Sequence, residues 1–178
     1  ESLIFDWLTT MVETDNPLRE ISALFWHHHI PCAKGNDHHQ HSRLALEIYR
    51  EYGLKDLRTL LIKISENPAM MYWLDGHHSH KNNPSENFPR ELMELFTLGE
   101  GHYTFQDVKE ASRAFTGRRF DHVNYPYAMY IDKNAFDNNY KTILGQTGNW
   151  DGDDVIDIIL NQNQTAKHIS KSVLIFFL

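Results

Sequence analysis

The 178-residue chain has a single cysteine, Cys32, so no disulfide can form within it. A lone thiol also rules out a cysteine-rich zinc site, and any metal would have to rely on His, Asp or Glu. Cationic side chains are scarce: 17 Lys and Arg stand against 24 Asp and Glu, for a formal net charge of −7. Phosphate-backbone binding needs a basic face, and no Lys/Arg stripe is present, so nucleic acid is excluded as a partner. There is no apolar run of about 20 residues to span a bilayer and no signal peptide. A Ser nucleophile elbow, a P-loop and a dinucleotide fingerprint are all missing.

The chain is rich in apolar residues (41%) and aromatics (12%), which fits a globular domain. It opens at Glu1 inside an amphipathic pattern and stops on the apolar "SVLIFFL". The sequence therefore predicts one helical domain over residues 1–178, a fragment of a longer chain cut at both ends.

Helical signals dominate. "ESLIFDWLTTMV" puts Leu3, Ile4, Trp7, Leu8 and Met11 on one stripe. In "DNPLREISALFWHHH", Asp15 or Asn16 can cap and Pro17 suits the first turn, with Leu18, Ile21, Leu24, Phe25 and His28 on one face. Residues 30–41 read as a loop, broken by Pro31, Gly35, Asn36 and Asp37. "SRLALEIYREYG", "LKDLRTLLIKIS" and "NPAMMYWLDG" read as further helices. After a polar loop over 75–87, "NFPRELMELFTLG" predicts a helix with Phe88, Leu92, Leu95 and Phe96 inward. "TFQDVKEASRAFTG" opens on Thr104 and Asp107, close to a capping box. Residues 118–148 alternate apolar and aromatic residues ("YAMYI") and carry Asn and Gly, as in a hairpin or long irregular excursion, before two last helices. The expected fold is all-α or mainly α with one β-hairpin-like insertion around 118–148.

Histidine is abundant, with 12 in the chain and six of them within "FWHHHIPCAKGNDHHQH". Imidazole is the commonest metal ligand. His27 and His29 are two apart, about 200° around a helix, so they grip one ion only if the helix ends there, which Pro31 allows. His38, His39, His41, His77, His78 and His80 fall in loops and are read as solvated. In "PSENFPRELMELFTLGEGH", Glu91 and Glu94 share a helical face, Arg90 can pair with Glu94, and Glu86 precedes the helix. By spacing these are a solvated face with an ion pair, or a carboxylate cluster for acid–base work or for a divalent metal shared with His27 or His29. "NWDGDDVID" lacks the loop length and distal Glu of an EF-hand, so Asp151, Asp153 and Asp154 read as caps and first-turn acids. Cys32 reads as an ordinary loop thiol.

The stretches "PLREISALFWHHH", "NPAMMYWLDG", "NPSENFPRELMELFTLGEGHYTFQDVKEASRAFTG" and "KTILGQTGNWDGDDVIDIIL" resemble a bacterial family, domain of unknown function 1800, from roughly Pro17 to the last residue. The family pattern covers Trp26, His27, His29, Glu86, Asn87, Arg90, Glu91, Glu94, Thr97, Gly99 and His102. The loop histidines lie outside it. The chain departs at Arg118, where the family usually has Trp, at Phe136, which stands for a usual His before Asp137, and at Pro89, usually a small residue. Were the Phe136 position a metal ligand, this chain has lost it.

The resemblance implies a long, often exported parent protein, periplasmic or extracellular, whose partners are the rest of the parent chain and another exported protein encoded nearby. It implies no reaction. Two readings follow. In one, an exported enzyme uses Glu91, Glu94 and Arg90 as catalytic groups, with His27 and His29 as ligands of a divalent metal. In the other, a non-catalytic scaffold or partner-binding module uses the same residues as a buried hydrogen-bond network.

Overall fold

The helix starts are fixed by short-range chemistry. In the computed structural model, which describes residues 3–32, 39–121, 123 and 127–178, Asn16 accepts from the Arg19 amide and sets Pro17 in the first turn of α2 (Pro17–His29), which follows α1 (Leu3–Glu13). Asp56 caps α4 (Leu57–Ser65), and Asn67 with Pro68 starts α5 (Pro68–Trp73). Reciprocal capping boxes join Thr104 to Asp107 at α7 (Phe105–Ala114) and Asp151 to Asp154 at α8 (Gly152–Leu160). Each satisfies backbone N–H groups that have no partner inside a helix. The loop breakers Gly35, Asn36 and Asp37, and His38, lie outside the described residues.

The 118–148 stretch forms two antiparallel ribbons, the hairpin-like insertion in a mainly helical fold. β1 (Arg118–Phe120) pairs with β2 (Met129–Ile131), and β3 (Lys141–Ile143) pairs with β4 (Gln146–Gly148). β3 lies against α7. The core joins Leu60, Leu61 and Ile64 of α4 to Val155, Ile156 and Ile159 of α8. Leu92, Met93 and Phe96 close it from the segment that carries the candidate site. Among the described residues no helix is long and apolar enough to cross a membrane.

Three local expectations fail. The buried side of α2 is Glu20, Ser22, Ala23, Phe25 and Trp26, while Leu18, Ile21 and His28 are exposed. Polar bonds turn the helix: Glu20 pairs with Arg50 of α3 (His39–Tyr52) at 2.8 Å, and Trp26 donates to the Gly53 carbonyl at 2.8 Å. The second is the 30–41 loop, because α3 begins at His39 and buries His41 beside Tyr72, Phe120 and Tyr127. The third is Leu95, which is 51% exposed. After a short α6 (Asn87–Glu91) the chain widens into a π-helical turn over Leu92–Thr97. The Leu98 amide reaches back five residues to the Met93 carbonyl at 2.9 Å. This extra residue in the turn buries Leu92, Met93, Phe96 and Thr97 and swings Leu95 out.

Candidate active site

Glu86, Arg90, Glu91 and Glu94 project from α6 and the π turn, and all four are half-buried. The expected pairing of Arg90 with Glu94 is not made. Arg90 instead bonds Glu86 at 2.8 Å and lies over the Phe105 ring, 5.6 Å from its centre. Glu94 accepts a 2.5 Å hydrogen bond from the Tyr103 hydroxyl. Tyr103 was not singled out from the sequence, although the Gly99 and Gly101 turn is what brings it back to the helix. Both glycines have left-handed backbones, with φ of 84° and 81°.

The two carboxylates sit in unlike surroundings. Burial and the neighbouring Glu94 charge push the Glu91 carboxyl above its ordinary value, against the pull of Arg90. Glu94 has a phenol donor, and the Tyr103 hydroxyl is itself pushed up to about 12 by burial and by that bond. Thus one glutamate favours holding its proton, and the other is fixed in place by a donor. The Arg90 guanidinium immediately precedes Glu91 in sequence.

His27 and His29 face different neighbours. The His27 ring meets Trp7 edge-on at 5.3 Å, and His29 stacks on Phe25 at 5.5 Å. His29 Nε2 donates to the Phe96 carbonyl at 2.9 Å. His168 of α9 (Asn163–Phe177), unmarked in the sequence reading, donates to the Leu95 carbonyl at 2.9 Å, and Gln164 donates to the Leu98 carbonyl at 3.2 Å. These three side chains cap the carbonyls that the end of the π turn leaves unsatisfied. The His29 bond assigns its proton to Nε2. Burial lowers both His27 and His29 from the ordinary imidazole value; the Phe96 bond opposes this at His29, and nearby imidazoles reinforce it. Among the described residues no group of three or more His, Cys, Asp or Glu side chains is arranged to hold a metal ion.

Further polar contacts tie the elements together away from the Glu91 cluster. Glu20, 3% exposed, takes Arg50 from α3 and the Trp7 indole N–H from α1. Asp137 binds Arg113 of α7 at 2.8 Å, and the buried Lys141 donates to the Asp137 carbonyl at 2.7 Å. Cys32 contacts the Tyr49 hydroxyl at 3.6 Å, and burial pushes its thiol up to about 12.

A family model described as protein of unknown function (DUF1800) matches residues 1–178. The chain belongs to the DUF1800 family. No curated protein and no solved structure matches it. In this DUF1800 chain Trp26, Thr97 and Gly99 of the family pattern have structural work: the indole ties α2 to Gly53, the Thr97 hydroxyl donates to the Leu92 carbonyl within the π turn, and Gly99 supplies a left-handed backbone. Asn87 donates to Asp75 at 3.0 Å, and His102 is exposed.

Proposed function

We propose that this DUF1800 segment carries the acid–base centre of an exported enzyme. Glu91 is the proton donor, Glu94 is the partner carboxylate held by Tyr103, and Arg90 anchors an anionic part of the substrate. One observation carries the reading: of two carboxylates one helical turn apart, Glu91 is pushed above its ordinary value by burial and the Glu94 charge, while Glu94 is held by the Tyr103 hydroxyl, an arrangement that suits a proton donor beside a fixed partner carboxylate. A π turn at the site supports it, since such turns recur at functional positions. The half-exposure of the three residues keeps them in reach of solvent. His29 serves to hold the π turn, through its bond to the Phe96 carbonyl.

Glu91→Gln in the intact parent protein is the test. The expected result is an unchanged fold, with equal or greater stability and loss of turnover in a screen of soluble substrates. Lost stability with turnover retained would replace the enzyme reading with the scaffold one. Export is part of the proposal and is checked by cell fractionation of the parent protein.

A further inference from the structure

Arg118 opens β1 and is 4% exposed. Its Nη1 donates to the Ser65 hydroxyl at the end of α4 at 2.8 Å, and its Nη2 donates to Asp153 of α8 at 2.7 Å. The guanidinium lies over the Phe115 ring, 4.8 Å from its centre. Its third nitrogen, Nε, is buried and bonds no group among the described residues. A buried N–H without an acceptor is destabilising, so folded proteins supply one from the chain or from ordered water.

Ser79 supplies a second buried donor. It follows the 3₁₀ turn Gly76–His78 and is 2% exposed. Its carbonyl is held against β1, accepting from the Gly117 amide and from the Arg119 guanidinium, both at 3.1 Å. Its hydroxyl oxygen accepts from the Ser85 amide at 3.1 Å, and among the described residues no group receives its O–H. Arg118 and Ser79 line one cavity of about 20 Å³, walled also by Ser65, Ser85, Phe88 and Pro89. A single water molecule needs about 10–15 Å³ measured in this way, so the space takes one and not two.

The same walls say which small acceptor fits. Asp153 already balances the Arg118 charge, which weakens the case for an anion. The Ser65 hydroxyl donates to the Ile62 carbonyl at 2.7 Å, and the Ser85 hydroxyl donates to the Leu74 carbonyl at 3.4 Å. Both oxygens keep lone pairs that can accept. Two donors and two acceptors around one small space match water, which accepts two hydrogen bonds and donates two. A halide could take the two donors but has no hydrogen to give to the serine oxygens. We propose that this cavity binds one structural water. It accepts from Arg118 Nε and the Ser79 hydroxyl and donates to the Ser65 and Ser85 hydroxyl oxygens. The water ties β1 and α4 to the segment ahead of α6. Because Phe88 and Pro89 wall the cavity, it braces from behind the helix that carries Arg90 and Glu91. The inference stands apart from the enzymatic reading of those residues.

High-resolution crystallography of the intact parent protein tests it, on crystals grown in sodium bromide with diffraction recorded at the bromine absorption edge. The wild type should show one fully occupied peak within about 3.2 Å of both Arg118 Nε and Ser79 Oγ, with no anomalous signal. Ser79→Ala removes one donor and should weaken or abolish that peak. In solution the wild-type Arg118 Nε–H should give an Overhauser effect to water with the sign of a long-bound molecule. Its resonance is identified by its loss in Arg118→Lys. No peak in the wild type, or no such effect, would overturn the proposal. An anomalous bromide peak would overturn water in favour of a halide. A peak as strong in Ser79→Ala as in the wild type would overturn the assignment of Ser79 as a partner.

Discussion

Gly99 lies directly beneath the His168 imidazole: a methyl group added at Gly99 would stand 2.8 Å from His168 Nδ1. The glycine is therefore required twice, once for its φ of 84° and once for the ring above it. Gly101 has a similar φ of 81° but open space around it. Gly99→Ala should cost about 2–3 kcal/mol, combining left-handed strain with a disturbed His168 bond to the Leu95 carbonyl. Gly101→Ala should cost about 1–2 kcal/mol, the strain alone. Denaturant unfolding of the two variants measures the difference, and equal losses would remove the clasp between α9 and the π turn from the account.

Among the described residues Glu20 is the deepest ion-pair carboxylate, with its side chain 4% exposed against 12% for Arg50. Glu20→Ala leaves a guanidinium without its main partner and the Trp7 indole without an acceptor. Removing one member of a buried pair costs about 3–5 kcal/mol. A loss below about 1 kcal/mol in equilibrium unfolding would show that the pair relaxes into water instead.

Acid should weaken the fold through its histidines. His27, His29 and His77 all have native values below the unfolded value. As pH falls through the unfolded value of about 6.5, the unfolded chain takes up protons that the native chain refuses. Their contribution is therefore complete above that pH and is lost as pH descends towards the lowered native values. Thermal melting at stepped pH should show the decline, and His29→Gln should make it shallower.

Cys32 should resist alkylation. Its thiol is buried, contacts Tyr49, and is pushed up to about 12, so almost no thiolate forms at neutral pH. Iodoacetamide should label it slowly in the native protein and at the rate of a free thiol in denaturant. Rapid native labelling would place Cys32 in a more open setting.

What could be read from sequence was local. Asn16 with Pro17, Asn67 with Pro68, Thr104 with Asp107 and Asp151 with Asp154 start their helices as their spacing indicates, because a cap needs only the next three residues. The alternation over 118–148 indicated ribbon structure, although not that two ribbons form. What depends on distant partners was not legible. The buried face of α2 is set by Arg50 and Gly53, and the burial of His41 by Tyr72 and Phe120. Leu95 turns outward because the π turn breaks the 3.6-residue period on which its inward placement rested. At the candidate site, the shared helical segment of Arg90, Glu91 and Glu94 was visible. Glu86 rather than Glu94 as the partner of Arg90, and Tyr103 as the partner of Glu94, required the structure.

Glu91 provides the last prediction. Its raised carboxyl means that ionisation costs the native state some stability as pH rises above the unfolded value of about 4.3. Glu91→Gln removes that cost and should leave the protein at least as stable at neutral pH, as judged by its melting temperature.

The most direct test of the carboxylate pair is a carbon-13 NMR titration of the Glu91 side-chain carboxyl in the wild type and in Glu94→Gln. The account predicts that Glu91 titrates above about 4.3 in the wild type and moves down when the Glu94 charge is removed. A Glu91 that titrates at or below that value, and does not respond to Glu94→Gln, would contradict it.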